Sequence, residues 1–285
     1  MSFPIACENG HPAVASEIEA VLDFGWWASN GPTAGYLMRL AADAIAERGP
    51  AHISPLRIDL EVARLAAAAP YVLTVGSDVG TSGLAHHLVG FHQGGPFAVA
   101  SVLTAPASTA HALSDVTPPA TLPLEAYRAM ATPSSTLPPV TARFVYRPTT
   151  DLDGPDPRPG WEAVWLTPTD LHLGGRALVA SAIDSWYPAH FMRSVREHLR
   201  TGLPLEQPAP TVLVAASLSF TAGAPAYERA RHLLLASQLT SAAGRHFFER
   251  TEVWSDSGAL LATAELIRRQ ANAGNSPEPS KEQRP

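Results

Sequence analysis

The sequence predicts an α+β protein made of two similar units, each with one amphipathic helix followed by antiparallel strands. Three observations lead to this prediction: a capped apolar helix near the N-terminus, a series of alternating runs after it, and the return of the same order beyond a proline-rich connection. The predicted boundaries are 1–105 for the first unit, 106–139 for the connection, 140–269 for the second unit and 270–285 for a disordered tail.

A first helix is predicted over residues 30–49. Asn30 can cap it, Pro32 suits its first turn, and Gly49 followed by Pro50 ends it. Its apolar residues have the spacing of a helix buried on one side: Leu37, Leu40, Ala41, Ala44 and Ile45. Apolar and polar residues alternate in the run that follows, which indicates a strand with one buried face. The predicted strands of this half are 56–63, 71–75, 84–91 and 97–104.

The second half repeats this order after a connection that holds one predicted short helix at 124–131. A second apolar helix is predicted from Gly175 to Trp186. The predicted strands of this half are 141–146, 161–166, 211–221, 232–240, 246–254 and 260–267. Paired turn glycines recur as well, and the spacing differs by only two residues between the halves, which a hairpin loop can absorb.

Composition limits the functional classes. Hydrophobic residues make up 46% and charged residues 16% of the chain, which indicates a folded protein. The formal net charge of -6 gives no general attraction to phosphates, so nucleic acid is not expected as a partner. Cys7 is the only cysteine, which excludes an internal disulfide and a cysteine-rich zinc site. With no signal peptide and no membrane-spanning run in the sequence, a cytoplasmic location is predicted.

Several segments, in their order along the chain, carry a family likeness. They are Trp27, Asn30-Gly31 and Gly35-Tyr36-Leu37 at the first helix, Ala180 to Asp184 in the second, Pro210-Thr211 at a strand start, and Trp254 to Ala262 near the end. Over residues 26–268 the chain resembles the acyl-CoA thioesterase II-like family of double hot-dog proteins. The resemblance implies two tandem hot-dog units, each a long helix packed on an antiparallel sheet. It also implies hydrolysis of an acyl-CoA or acyl-carrier thioester by a homo-oligomer, with no metal or redox cofactor.

In this family an aspartate, a threonine or serine, and a glutamine hold the attacking water. The resemblance assigns the aspartate to Asp184 and the hydroxyl to Thr211. The position of the glutamine falls on Leu266, which cannot hold a water. This departure keeps an alternative open, namely a protein that binds acyl-CoA or an acyl carrier, or serves as a structural partner, and has lost turnover.

Asp184 also stands out from its own surroundings. It follows an apolar run with no cation within one helical turn, and an ionised carboxylate there is costly unless it is hydrogen-bonded. That setting suits a base or a water-orienting group. The structural alternative is an exposed aspartate at the end of a helix.

Other candidate residues are less specific. Thr211 and Ser217 share a face if their strand is unbroken, so either hydroxyl is a candidate for holding the water. Glu265, next to the missing glutamine, is expected on the opposite face. The first helix, near Gly31 and Gly35, is expected to supply N–H groups that polarise the thioester carbonyl. Many relatives carry a Gly-Arg pair that is suited to ligand contact, so the resemblance assigns Gly244 and Arg245 to substrate contact, whereas the first half has Gly83-Leu84 at the related position. No metal is expected at His86 and His92, because no third ligand lies beside them.

Overall fold

A computed structural model of the chain describes residues 16–28, 31–47, 53–67, 69–79, 84–106, 116–119, 121, 123–129, 138–149, 161–186 and 211–270. The helices are α1 (Ala34–Ala46), α2 (Gly175–Ala182) and α3 (Ala224–Arg229). The strands are β1 (Ser16–Val21), β2 (Trp27–Ala28), β3 (Gly31–Pro32), β4 (Ile53–Val62), β5 (Pro70–Val79), β6 (Ala85–His92), β7 (Pro96–Pro106), β8 (Phe144–Pro148), β9 (Trp161–Pro168), β10 (Thr211–Phe220), β11 (Leu233–Ala243), β12 (His246–Ser255) and β13 (Leu260–Gln270).

Eleven of these strands form one antiparallel sheet. Their order is β1-β5-β6-β7-β4-β10-β13-β12-β11-β9-β8, while β2 and β3 form a separate small hairpin. Strands β4 and β10, from the two halves of the sequence, therefore pair at the centre of the sheet. Each half contributes a helix followed by antiparallel strands, as the sequence order indicates.

Both central strands contain a β-bulge. The register of β4 against β7 shifts between Pro55 and Arg57, and that of β10 against β13 shifts between Leu213 and Ala215. An extra residue in one strand reverses the alternation of side chains beyond it. Thr211 therefore shares the face of Leu213, and Ser217 lies on the opposite face.

The two longer helices contact each other, and α1 packs on one face of the sheet. Helix α1 packs on β4, β5 and β7, and α2 lies against α1 and α3. The buried core joins this helix side of the sheet to both helices, with Leu37, Leu60, Leu178, Leu218 and Leu261 at most 1% exposed. No helix in the described ranges is long and apolar enough to cross a membrane.

Several predicted boundaries differ from the structure. Helix α1 is capped by Thr33, whose Oγ1 accepts from the Tyr36 N–H at 3.3 Å, and Asn30 and Gly49 lie outside the described residues. Helix α2 spans eight residues and ends at Ala182, because Ile183 is extended and Asp184 has a φ of 65°. It is shorter than the long helix predicted.

The connection and the chain end also differ in part. The short helix predicted at 124–131 is a 3-10 turn, Leu124–Ala126, followed by the extended and buried Tyr127, which packs with Trp161 and Trp254. The strand predicted from residue 141 begins at Phe144, after a second 3-10 turn. Strand β13 runs to Gln270. The remainder of the predicted tail, 271–285, and much of the predicted connection lie outside the described residues.

Candidate active site

The backbone turns sharply at the end of α2 and places Asp184 against the start of α1. Asp184 has a left-handed φ of 65°, a conformation that aspartate tolerates better than most residues. Its carboxylate is 7% exposed, and Oδ2 accepts a hydrogen bond from the Ala34 N–H at 3.0 Å. A carboxylate is stabilised there because the first N–H groups of a helix carry partial positive charge. Asp184 therefore does not point into solvent.

A buried arginine completes the environment of Asp184. Arg268 Nη2 donates to Asp184 Oδ1, and Arg268 Nε donates to Glu249 Oε2 at 2.8 Å. The side chains of Arg268 and Glu249 are 8% and 3% exposed. Burial alone lowers the pKa of Arg268, but the carboxylates of Asp184 and Glu249 raise it above its ordinary value. We call these three charged side chains the Asp184 network.

The alternation of β13 places Arg268 in this network. Ala262, Ala264 and Leu266 face the helices, so Arg268 comes next on the same face. Glu249 pairs with Leu266 across β12 and β13, which makes Arg268 its diagonal neighbour. Sequence reasoning missed Arg268. Its parity with Leu266 was the available signal, since the adjacent Arg269 falls on the other face and is exposed.

Thr211, Gly244 and Arg245 lie at the same end of the sheet as Arg268. Thr211 pairs with Gln270, two residues beyond Arg268 on the same face of β13. Gly244, with a φ of 59°, forms the turn between β11 and β12. Arg245 follows it and donates from Nη2 to the Gln270 carbonyl at 3.2 Å. The register thus brings three predicted residues to the same end of the sheet, where β10 begins and β13 ends.

Ser217 lies elsewhere. It pairs with Glu265 on one side and with Asp59 on the other, on the face opposite Leu266. The expectation that it shares a face with Thr211 is wrong, because the bulge in β10 lies between them. Burial raises the pKa of Asp59, but hydrogen bonds from Arg57 and Ser217 outweigh this effect and hold it below its ordinary value.

The two glycines assigned to α1 have different positions. Gly31 precedes the helix, has a φ of 136°, and pairs with Ala28 in the hairpin β2–β3. Gly35 is in the first turn of α1, where a Cβ would overlap the carbonyl oxygens of Ala180 and Ile183. Only glycine permits this close approach of α1 to the end of α2.

Most of the N–H groups in the first turn of α1 already have hydrogen-bond partners. The Ala34 N–H donates to Asp184 and the Tyr36 N–H to Thr33. Among the described residues, the Gly35 N–H has no partner. Helix N-terminal N–H groups of this kind can stabilise a developing negative charge.

No group of three metal-ligating side chains occurs within the described ranges. His86 Nε2 lies 2.6 Å from Ser101 Oγ, and His92 Nε2 lies 3.1 Å from Thr74 Oγ1. These two histidines therefore have hydroxyl partners.

Comparison with known proteins identifies the fold by structural similarity and not by sequence. No protein-family model matches the sequence, and no curated protein matches it. A conserved protein with a hot-dog fold from Alicyclobacillus acidocaldarius superposes with a TM-score of 0.72 at 18% identity, covering 91% of this chain and 96% of that one. The chain has the hot-dog fold.

Two further solved structures have the same fold as this chain. Acyl-CoA thioesterase II TesB2 from Mycobacterium marinum has a TM-score of 0.64 at 14% identity, with 85% of this chain and 90% of that one covered. The TesB protein of Mycobacterium avium subspecies paratuberculosis has a TM-score of 0.65 at 14% identity, with coverage of 90% and 93%. At these identities the likeness concerns the fold.

Proposed function

We propose that this protein hydrolyses an acyl thioester at Asp184, with acyl-CoA as the first substrate to test. The observation that carries the proposal is the buried Asp184 network at the N-terminus of α1, in a fold shared with an acyl-CoA thioesterase. A buried carboxylate held by an arginine from another strand and by a helix N-terminus is a prepared polar centre. The apolar surroundings of a hot-dog core suit the acyl chain.

We also propose that the chain consists of two tandem hot-dog units, 1–105 and 140–269, joined by 106–139. The two bulges support this, because each lies at the same point relative to its neighbouring strand, with Thr104 opposite Pro55 and Arg268 opposite Leu213. Counted from the bulges, Asp59 corresponds to Ser217. These two residues pair directly, as residues beside a two-fold axis would.

In the proposed reaction Asp184 binds and orients the attacking water. Its carboxylate has about four lone-pair positions, and Arg268 and the Ala34 N–H use two of them. The water oxygen attacks the thioester carbon while Asp184 accepts a proton from the water. The carbon–sulfur bond then breaks, and the leaving thiolate takes that proton from Asp184, which yields a carboxylic acid and a free thiol. Thr211, on the same face and end of the sheet, helps to hold the water.

The remaining roles follow from position. The Gly35 N–H is assigned to the thioester oxygen, because it is the partnerless N–H of the first turn within the described residues. Arg268 takes the place of the glutamine expected at Leu266, since it lies two residues further on the same strand face and contacts Asp184. Exposed Arg245 and the Gly244 turn are assigned to contact with the carrier end of the substrate.

The proposal is tested by free-CoA release from a panel of acyl-CoA thioesters. We expect Asp184→Asn to lower the rate about 10²- to 10⁴-fold, the range for loss of a positioned acid or base. Asp43→Asn is the matched control, because Asp43 is also paired with an arginine, Arg39, but lies on α1 away from the network. Its rate should stay at the wild-type level.

Two outcomes would contradict the proposal. Equal rates for the wild type and Asp184→Asn would remove Asp184 from the reaction. No release from any acyl-CoA, in a folded wild type that binds acyl-CoA, would favour the non-catalytic binding protein instead.

The homo-oligomer and the cytoplasmic location stay predictions. Within the described residues the sheet ends at β1 and β8, and hot-dog sheets commonly associate through such edges. Light scattering on the purified chain measures the oligomeric state.

A further inference from the structure

The first half of the sheet contains a second chain of polar side chains, on β5, β6 and β7. Ser77 Oγ lies 2.7 Å from His87 Nδ1, and His87 Nε2 lies 3.0 Å from Thr104 Oγ1. His87 is 6% exposed, whereas Ser77 is exposed. An accessible hydroxyl is therefore bonded to a buried imidazole.

The direction of the hydrogen bonds is assigned from Thr104. A threonine hydroxyl has one hydrogen, and Thr104 Oγ1 lies 3.4 Å from the Ala85 carbonyl oxygen, which can accept it. With the hydrogen placed there, Thr104 Oγ1 accepts from the His87 Nε2–H, and His87 Nδ1 accepts from the Ser77 O–H. This is the polarity of a nucleophile, its base and the group that orients the base.

The base is in the right protonation state. Burial, together with the neighbouring His86, lowers the pKa of His87. The imidazole is therefore neutral at pH 7 and able to accept a proton.

The location gives independent support. By register His87 corresponds to Glu249 and Thr104 to Arg268, since each pair is diagonal across two strands at the same distance from the central bulge. The chain of Ser77, His87 and Thr104 thus occupies the place in the first half that the Asp184 network occupies in the second.

We propose that Ser77 is a nucleophile that accepts acyl groups from activated esters and thioesters, with His87 as general base and Thr104 as a positioning residue. The Ser77 oxygen bonds to the acyl carbon while its proton passes to His87 Nδ1. The bond from the acyl carbon to the leaving sulfur or oxygen then breaks, and the leaving group takes the proton from His87. The products are an ester on Ser77 and a free thiol or alcohol, at a centre separate from Asp184.

The full chain is treated with a fluorophosphonate probe and, in parallel, with p-nitrophenyl acetate, and modified peptides are identified by mass spectrometry. We expect both reagents to modify Ser77, and the modification to be absent in Ser77→Ala. His87→Asn keeps a hydrogen-bond acceptor near Ser77 but cannot take the proton, so the rate should fall about 10²- to 10⁴-fold. Exposed Ser241, which has no histidine partner among the residues that the structure describes, is the internal control.

Further variants separate the positioning role and the two centres. Thr104→Val should slow the modification and Thr104→Ser should restore it, because only the serine keeps the acceptor for His87. Asp184→Asn should lose multiple-turnover CoA release and still be labelled at Ser77. An unmodified Ser77 in the folded wild type, equal labelling of Ser77 and Ser241, or equal rates for the wild type and a folded His87→Asn would each overturn the proposal.

Discussion

The helix-side faces of the two halves differ at matched strand positions. In the first half Val75 pairs with Val89, and both are buried. At the corresponding place in the second half Ser237 pairs with Thr251, with their hydroxyl oxygens 2.9 Å apart. One backbone register thus carries an apolar contact in one half and a hydrogen bond in the other.

The difference widens at the next position towards the end of the sheet. The first half has a neutral histidine and a threonine, His87 and Thr104, where the second has the charged pair Glu249 and Arg268. Neutral groups need only hydrogen bonds when they are buried, whereas charges need opposite charges as well. The second half obtains its additional compensation from Asp184 and from the N-terminus of α1.

The helix N-termini show the same asymmetry. Helix α1 has two oxygen partners at its start, Thr33 from its own half and Asp184 from the other. Helix α2 begins after Gly174 without a side-chain cap. The second half therefore supplies a carboxylate to the helix of the first, so the Asp184 network needs both halves.

Arg268→Met should produce the largest loss of stability. The substitution keeps an unbranched, flexible side chain but leaves Asp184 and Glu249 buried without their cation, and breaking a buried pair in this way costs about 3–5 kcal/mol. The matched variant in the first half, Thr104→Val, removes hydrogen bonds of neutral groups and should cost about 1–3 kcal/mol. Urea unfolding measures both free energies. Equal losses would show that the contrast between a charged and a neutral half has no energetic consequence.

Gly35→Ala should produce the next-largest loss of stability. Its Cβ would overlap backbone oxygens at the end of α2, which cannot move as a flexible side chain can, and overpacking of this kind typically costs about 1–3 kcal/mol. The variant should also lower CoA release, because the shift separates Asp184 from Ala34. Gly76→Ala in β5 is the control, since nothing lies within 4 Å of its added Cβ. If both glycines tolerate alanine equally, the close contact of α1 and α2 does not position the site.

Much of the fold could be predicted from the sequence because alternation and helical spacing are local signals. The strands after each helix follow from such patterns. The bulge in β10 could not be predicted in this way, because the strand reads as unbroken through Val214. It separates the faces of Thr211 and Ser217, which the alternation alone had placed on one face.

Within the Asp184 network, only Asp184 itself was singled out from the sequence. Its apolar neighbours made it unusual, but its partners come from the start of α1 and from β13, 150 and 84 residues away. No local pattern reports contacts at that separation. Helix α2 was predicted to be too long for a related reason. The left-handed turn at Asp184, which follows the helix, is held by these same distant partners.

His87→Gln should have the smallest effect on stability. It tests whether the first half holds His87 neutral, through the dependence of stability on pH. Burial lowers the pKa of His87 in the folded chain below the value of about 6.5 expected when unfolded, so the unfolded chain takes up a proton first as the pH falls. The contribution of His87 to stability is therefore complete above about pH 6.5 and declines below it. The variant should flatten the dependence of the unfolding free energy on pH in that range, and His86→Gln should reduce the slope in part, because the neighbouring His86 contributes to the lowered pKa of His87. An unchanged slope in His87→Gln would mean that His87 is not held neutral, and the distinction between the two halves would then rest on Arg268 alone.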